Sequence, residues 1–258
     1  MTARQLTAIV LVLWCAAGCK SPPPTFEEAR PADELYAEGV KTLEGHRFLR
    51  IIPWVNHGKA IETFQAIIDN YPYSDYAVLA ELKIADAYFD DGKYEEALSY
   101  YRDFPDLHPQ HPEVPYTIWR AALCHERRKH ASNRDQTATR EAIVYLDRLL
   151  LKYPYSKYAA EGEKLWRSLR HELAENVIGI GNFYLKREEY ESAAERYRML
   201  LNEYPGLGFD AETLYQLGVC YWKMNRKQEA ERIFQSIVQN FEGNEFAAKA
   251  EKRIASGE

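Results

Sequence analysis

A pattern of small and aromatic residues recurs along the chain. In its clearest copy, Gly181 is followed by Tyr184, and then by Ala193 and the aromatic Tyr197. A second copy places Gly218, Tyr221, Ala230 and Phe234 at the same spacing. Small residues let two helix backbones approach closely, and the aromatic side chains fill the space between neighbouring helices. This spacing is typical of two-helix repeats of about 34 residues.

The signature alanine of the pattern can be followed from one end of the chain to the other: Ala60, Ala97, Ala142, Ala193 and Ala230. Large apolar residues lie four and seven positions after each alanine, so they share one helical face. A proline follows twelve positions after each of the first four. Because proline cannot continue a helix, it ends the hairpin there.

The spacing therefore predicts an all-α fold, a tetratricopeptide-repeat superhelix of five helix-turn-helix repeats. We place the repeats at about 32–74, 78–112, 115–156, 174–206 and 211–243. The stretch from Glu245 to Ile254 is polar and rich in alanine, and it predicts a C-terminal capping helix, which terminal repeats need for solubility.

Certain first-helix positions of such an array face a groove. Counted from the signature small residue, they are Tyr36, Leu82, Phe89, Tyr116, Trp119, Ile178, Tyr215 and Trp222. An aromatic-lined groove suits an extended peptide or a partner helix, and aromatics are enriched at binding hot spots. The alternative at each position is packing against the adjacent repeat, because both roles favour large aromatic side chains.

Two hairpins carry long segments between their helices. Residues 44–58 are apolar, and residues 125–140 are basic. Insertions in solenoids often lie on working surfaces. The alternatives are that the apolar segment extends a helix and packs, and that the basic segment is a solvated loop.

The N-terminus predicts export. Residues 1–18 read as a signal peptide, with an apolar run too short to span a bilayer. The sequence Ala16-Ala17-Gly18-Cys19 is similar to a bacterial lipobox, which implies cleavage before Cys19 and attachment of acyl chains such as palmitate. The alternative is an ordinary secretory signal that leaves Cys19 as a free thiol. Residues 19–30, with three consecutive prolines, predict an extended tether to a domain at 31–258.

The charge and the cysteine content of the chain also argue against some classes of function. The net charge of −6 argues against a protein that tracks nucleic-acid phosphates, and gives no reason for whole-protein attraction to anionic lipid. Outside the N-terminal segment the only cysteines are Cys124 and Cys220. They occupy the same place two repeats apart, beyond disulfide reach, so we interpret both as small buried residues.

The sequence contains no recognisable motif for catalysis. His125 and His130 are five residues apart, whereas a helical zinc pair needs four. His108 and His111 flank prolines in a turn. Gly179 and Gly181 lack the third glycine of a dinucleotide loop. We expect no enzyme activity, no cofactor and no metal.

Three longer motifs go beyond generic repeats. They are Asn70-Tyr71-Pro72-Tyr73-Ser74-Asp75-Tyr76 with its echo at 152–158, Leu107-His108-Pro109-Gln110-His111-Pro112, and Leu173-Ala174-Glu175 leading to Phe183-Tyr184-Leu185-Lys186-Arg187. With the lipobox and the five repeats, the chain resembles the BamD family of outer-membrane assembly lipoproteins over nearly all of its mature length.

The resemblance implies a lipid-anchored protein on the periplasmic face of the bacterial outer membrane. It implies three kinds of partner: a BamA-like barrel insertase, other assembly-machinery lipoproteins, and unfolded outer-membrane proteins whose C-terminal signal ends in an aromatic residue. It also implies that the N-terminal repeats face substrate and the C-terminal repeats face the insertase. The alternatives are a different periplasmic tetratricopeptide scaffold, serving the envelope or cell division, and an accessory subunit of an enzyme.

Overall fold

The computed structural model of the protein describes residues 30–48, 52–129 and 135–256. These residues form eleven helices and two short strands. In chain order they are α1 (Ala32–Glu44), β1 (His46–Phe48), β2 (Ile52–Trp54), α2 (His57–Asn70), α3 (Asp75–Asp90), α4 (Tyr94–Leu107), α5 (Val114–Arg128), α6 (Thr137–Lys152), α7 (Ala159–Lys186), α8 (Tyr190–Glu203), α9 (Asp210–Lys223), α10 (Lys227–Asn240) and α11 (Glu245–Ser256).

Each helix packs against the next one in the chain, so the helices form a stack of antiparallel hairpins. The five hairpins are α1/α2, α3/α4, α5/α6, α7/α8 and α9/α10, and α11 covers the last of them by contacting both α9 and α10. The predicted all-α tetratricopeptide-repeat fold, with five repeats and a capping helix, is confirmed.

A contact between a glycine and an aromatic ring explains the spacing of the pattern. A Cβ atom on Gly181 would lie 2.6 Å from the ring of Tyr197, and one on Gly218 would lie 2.5 Å from the ring of Phe234. Both rings are almost completely buried. The first helix of these hairpins therefore needs glycine, because any side chain would push the second helix away.

The fourth hairpin begins earlier than the repeat pattern indicates. Residues 159–173, which the pattern left between repeats, form the first half of α7, a single helix of 28 residues. This half packs on α6, where Gly162 lies close enough to Leu149 that a Cβ would come within 2.8 Å of its side chain.

The apolar segment of the first hairpin contains a small antiparallel β-hairpin. Residues of β1 and β2 pair in the register His46 with Trp54, Arg47 with Pro53 and Phe48 with Ile52. The alternative that this segment extends a helix is wrong, because α1 ends at Glu44 beside Gly45, whose φ is 72°.

The basic segment of the third hairpin is shorter than the sequence suggested. Helix α5 continues to Arg128 and α6 starts at Thr137, while residues 130–134 lie outside the described part. Arg128 pairs with Glu95, and the Lys129 ammonium lies 2.6 Å from Glu172. These two cations therefore tie α5 to α4 and α7 and do not belong to a solvated loop.

Cys124 and Cys220 are free and fully buried. Burial raises the pKa of each thiol to about 12, so both stay protonated and unreactive. The predicted signal peptide and Cys19 lie outside the described residues. Within the described ranges, no helix has the length and apolar character needed to cross a bilayer.

Candidate partner-binding site

One carboxylate joins three helices at the boundary between the second and third hairpins. Asp86 on α3 accepts a hydrogen bond from the Tyr101 hydroxyl on α4 at 2.7 Å. The same oxygen accepts a second hydrogen bond, at 2.5 Å, from the Tyr116 hydroxyl on α5. Asp86 therefore links the two helices of its own hairpin to the first helix of the next one.

Both phenols remain hydrogen-bond donors over a wide pH range. Burial is the main reason that the pKa of Tyr101 is raised far above its usual value of 10.0, and the negative charge of Asp86 raises it further. The same two causes, in the same order, raise the pKa of Tyr116. At neutral pH neither tyrosine ionises, so the Asp86 carboxylate keeps both donors.

Arg120 completes this group, which we term the Asp86 cluster: Asp86, Phe89, Tyr101, Tyr116 and Arg120. The Arg120 Nε donates to the Tyr101 hydroxyl at 3.0 Å. Its guanidinium carbon lies 3.8 Å from the centroid of the Phe89 ring, a close cation–π contact. A terminal nitrogen lies 3.8 Å from Asp86 and 3.7 Å from Asp90.

The Arg120 side chain is only 17% exposed, and its neighbours already supply an acceptor, an aromatic face and two carboxylates. It is therefore suited to holding the first helices of hairpins two and three in register. It also fixes the Phe89 ring in place.

The fourth hairpin shows which part of the cluster serves packing alone. There the Tyr197 hydroxyl donates to Asn182 at 2.6 Å, with the same separation in sequence as Tyr101 and Asp86. A neutral amide is sufficient for this bond within a hairpin. The second hairpin differs because Asp86 carries a negative charge at this position. That charge faces two cations, Arg120 of the neighbouring hairpin and Lys83 of its own helix, each at 3.8 Å.

The structure brings three of the predicted groove residues together. Phe89 and Tyr116 belong to the Asp86 cluster, and Trp119 lies on α5 between Tyr116 and Arg120. Trp119 is partly buried against the cores of the third hairpin and its neighbours. The Tyr116 ring also contacts Tyr158, with ring centroids 5.4 Å apart. Arg120 and the Tyr116–Tyr158 contact therefore link the rings of Phe89, Tyr116 and Tyr158 into an aromatic surface across hairpins two to four. Trp119 lies three residues after Tyr116 on the same helix.

Two of the predicted groove residues have a packing role. Leu82 is 7% exposed and packs among Phe104, Val114 and Ile118 between hairpins. Ile178 is 8% exposed and belongs to the core of the C-terminal hairpins. Both residues therefore pack against adjacent repeats, and neither belongs to the Asp86 cluster.

The remaining three do not belong to the Asp86 cluster. Tyr36 on α1 packs against Phe64 and Tyr76, with centroid distances of 5.6 and 5.5 Å. Tyr215 on α9 is partly covered by the capping helix, where Arg253 Nε donates to its hydroxyl at 3.0 Å. Trp222 is half-buried, and the Lys227 ammonium lies 4.8 Å from its ring centroid.

Sequence reasoning missed the polar members of the site, Asp86, Tyr101 and Arg120. A signal was present, since Asp86 and Phe89 are three apart and Tyr116 and Arg120 are four apart, so each pair shares a helical face. The pairing across hairpins depends on how the repeats stack, which spacing within one helix does not reveal. In the described part of the chain, no group of three His, Cys, Asp or Glu side chains is placed to hold a metal ion.

Known proteins resemble this chain along most of its length. The "Outer membrane protein assembly factor BamD" of Caulobacter vibrioides is 27% identical over 247 residues, which cover 94% of this chain and 78% of that protein. The protein of the same description from Neisseria gonorrhoeae is 27% identical, covering 84% of this chain and 82% of its own. The one from Rickettsia prowazekii is 25% identical, covering 97% and 96%.

The family YfiO, described as "Outer membrane lipoprotein", matches residues 28–233. The match begins just before α1 and ends within α10, so it includes the whole Asp86 cluster and most of the repeat array. The chain therefore belongs to the YfiO family of outer-membrane lipoproteins.

Proposed function

We propose that this protein is a lipid-anchored scaffold of the outer-membrane β-barrel assembly machinery. In this role it binds a BamA-like barrel insertase and receives unfolded outer-membrane proteins on the periplasmic face of the membrane. The observation that carries the proposal is the family match, which covers most of the repeat array. Relatives described as assembly factors also align with most of the chain. The chemistry is binding without turnover.

The Asp86 cluster is the best candidate for the substrate-receiving site. It lies in the N-terminal half of the array, and Phe89 and Tyr116 both face Arg120 there. Trp119 follows Tyr116 by three residues on α5 and is partly exposed. An unfolded barrel strand is extended and carries alternating apolar and polar side chains, with aromatic residues toward its ends. Partly exposed aromatic rings bind such side chains well, and a site held rigid by Asp86 and Arg120 loses little conformational entropy on binding.

The C-terminal hairpins offer a different surface, which suits the insertase. The capping helix packs on α9 and engages Tyr215, so the first-helix face is partly covered there. On α7, however, the Phe183 side chain is 55% exposed, with the Arg187 guanidinium 5.4 Å from its ring centroid. An exposed aromatic side chain beside a cation is a common anchor in protein interfaces.

Affinity purification of the tagged full-length protein from detergent-solubilised membranes tests the proposal. The expected result is recovery of a barrel insertase with periplasmic repeats, together with further assembly lipoproteins. A Phe183→Ala variant is expected to recover less insertase, whereas Val144→Ala, which alters an exposed residue on α6, is expected to recover the normal amount.

Recovery of division or envelope proteins without any insertase would favour the alternative scaffold and overturn the proposal. Depletion of the protein gives a second readout. Under the proposal, the level of folded outer-membrane barrels falls. Under the alternative, it does not change before growth or division is affected.

A further inference from the structure

The most exposed large hydrophobic side chains of the described residues lie at one edge of the array. They are Tyr73 at 101%, Tyr155 at 100%, Leu151 at 82% and Leu107 at 65% exposure. None of them packs in a core, and each gives up favourable burial to stand in solvent. We term this set the inter-hairpin edge.

The hairpin architecture explains why these four residues share an edge. Leu107 is the last residue of α4, and Leu151 is the last but one of α6. Tyr73 and Tyr155 lie in the turns that follow α2 and α6. In a stack of antiparallel hairpins, every second helix ends at the edge where the next first helix begins.

Ring contacts between successive first helices confirm this arrangement. Near their N-termini, Tyr36 on α1 meets Tyr76 on α3 at a centroid distance of 5.5 Å. Tyr116 on α5 meets Tyr158, the residue before α7, at 5.4 Å. The starts of the first helices therefore lie side by side along the inter-hairpin edge.

The N-terminal segment joins the fold at the same edge. The Tyr71 hydroxyl, two residues before Tyr73, donates to the backbone oxygen of Arg30 at 3.0 Å. Ten residues, 20–29, separate Arg30 from Cys19. At about 3.1 to 3.5 Å per residue, they reach at most roughly 35 Å. An acyl chain on Cys19 would thus keep the inter-hairpin edge close to the membrane surface.

We propose that the inter-hairpin edge rests on the phospholipid membrane, with Tyr73 and Tyr155 at the level of the headgroups and Leu107 and Leu151 against the acyl boundary. This inference rests on the proposed lipid anchor. Tyrosine favours membrane interfaces because its ring is apolar and its hydroxyl remains hydrated. The anchor raises the local concentration of the edge at the surface, so a few shallow contacts suffice to orient the protein.

Charges beside the edge are balanced. Within two residues of the four side chains there are two acidic groups, Asp75 and Asp106, and two basic groups, Lys152 and Lys157. Attraction to anionic headgroups therefore has little net effect. The contact is expected to depend on the apolar side chains and to be insensitive to the proportion of anionic lipid.

This orientation leaves the rest of the array available to partners. Phe183 is near the end of α7, at the opposite edge where first helices lead into second helices, so it would face the periplasm. A partner would reach the rings of the Asp86 cluster from the face of the array that lies between these two edges. A scaffold oriented in this way would hold a bound strand at a fixed height above the membrane.

Site-specific fluorescence tests the inference. Residues 20–258, which include every described helix, are held through an N-terminal hexahistidine tag on vesicles of phosphatidylethanolamine, phosphatidylglycerol and a nickel-chelating lipid. A polarity-sensitive fluorophore is attached to Tyr73→Cys, to Tyr155→Cys and, as a matched control, to Phe183→Cys. The native Cys124 and Cys220 are fully buried and do not compete for the label.

The expected result is that emission at positions 73 and 155 rises about twofold or more on vesicles, since an interface is less polar than water, and is unchanged at 183. No change at 73 and 155, or an equal change at all three positions, would overturn the inference. So would a change that requires a purified insertase domain, because the edge would then be a protein interface. The tag replaces the acyl chain, so a failure of lipidation at Cys19 would count against the proposed function and leave this test intact.

Discussion

The Tyr116 hydroxyl and the Asp86 carboxylate are joined by a 2.5 Å hydrogen bond across the boundary between two hairpins. The bond lies beside the aromatic surface that we propose as the substrate site. Asp86 also faces Arg120, so one short acidic side chain sets the positions of residues from three helices. Contacts of this kind determine how neighbouring repeats stack, and they give the first prediction.

Asp86→Asn is expected to lower the free energy of unfolding by about 1–2 kcal/mol. The amide oxygen can still accept from Tyr101, as Asn182 does from Tyr197, but the mostly buried Arg120 loses part of its compensating charge. Urea unfolding followed by circular dichroism measures the change. The matched control is Asp103→Asn, whose pair with Arg102 is exposed and is expected to contribute much less. Equal losses in the two variants would show that the charge of Asp86 has no special role.

The buried tyrosines predict a loss of stability in alkali. The folded-state pKa values of Tyr101 and Tyr116 are raised above their usual 10.0, so the unfolded chain releases these protons first. Stability is therefore complete below pH 10 and falls as the pH rises above it. Each such tyrosine contributes a loss of about 1.4 kcal/mol per pH unit.

Thermal unfolding between pH 9 and pH 11.5 measures this dependence. Tyr116→Phe removes one of the titrating groups, so its stability should fall less steeply with pH than that of the unmodified protein. Tyr73→Phe changes a fully exposed ring and should leave the slope as it was. If Tyr116→Phe also leaves the slope unchanged, Tyr116 is not a buried donor to Asp86.

Two glycines on α7 provide a direct test of the packing rule. Gly181→Ala places a Cβ 2.6 Å from the buried Tyr197 ring, and we expect a destabilisation of about 1–3 kcal/mol. Gly179 lies on the exposed side of the same helix, with nothing within 4 Å of an added Cβ. Gly179→Ala should therefore stabilise the protein by about 0.5–1 kcal/mol. Hydrogen exchange of α7 and α8 measures both, and effects of the same sign would contradict the packing rule.

Substitution of two neighbouring cysteines, Cys19 and Cys15, tests whether Cys19 is lipidated. Cys19→Ala is expected to abolish the mass increase from acyl chains and to release the protein from the membrane fraction. Cys15 lies four residues earlier, inside the predicted signal peptide, so Cys15→Ala should leave both mass and fractionation unchanged. Intact mass spectrometry of protein from each strain decides the point. An unmodified mass for the parent protein would mean an ordinary secretory signal.

The sequence was sufficient to predict the hairpins, because the helix–helix contacts within a repeat recur at constant spacing. The alanines, the terminal prolines and the glycines that face Phe64, Tyr197 and Phe234 are all local signals. The early start of α7 was not predicted, because residues 159–173 contain only one small residue of the repeat pattern, Gly162. The polypeptide also makes no turn before Leu173, so this stretch continues directly into the fourth repeat. The strands β1 and β2 were not predicted either, because each has three residues.

The candidate site was only partly predictable, because the repeat pattern does not show which first-helix residues are exposed. The periodicity identified Phe89, Tyr116 and Trp119 as first-helix residues, yet the same rule selected Leu82 and Ile178, which are buried. Whether such a residue is exposed depends on the rotation between successive hairpins. That rotation is determined by contacts across repeats, such as Arg120 with Phe89, and these do not recur at constant spacing.

The most direct test of the proposed role is the affinity of the full mature chain for a peptide with the C-terminal aromatic signal of an outer-membrane barrel, measured by isothermal titration calorimetry. We expect binding by the unmodified protein and about a tenfold weaker affinity for Trp119→Ala, equivalent to about 1.4 kcal/mol, from the loss of one aromatic anchor. Val144→Ala, which changes an exposed residue on α6, should bind normally. Unchanged affinity in a folded Trp119→Ala variant, or no binding by the unmodified protein, would contradict the proposal.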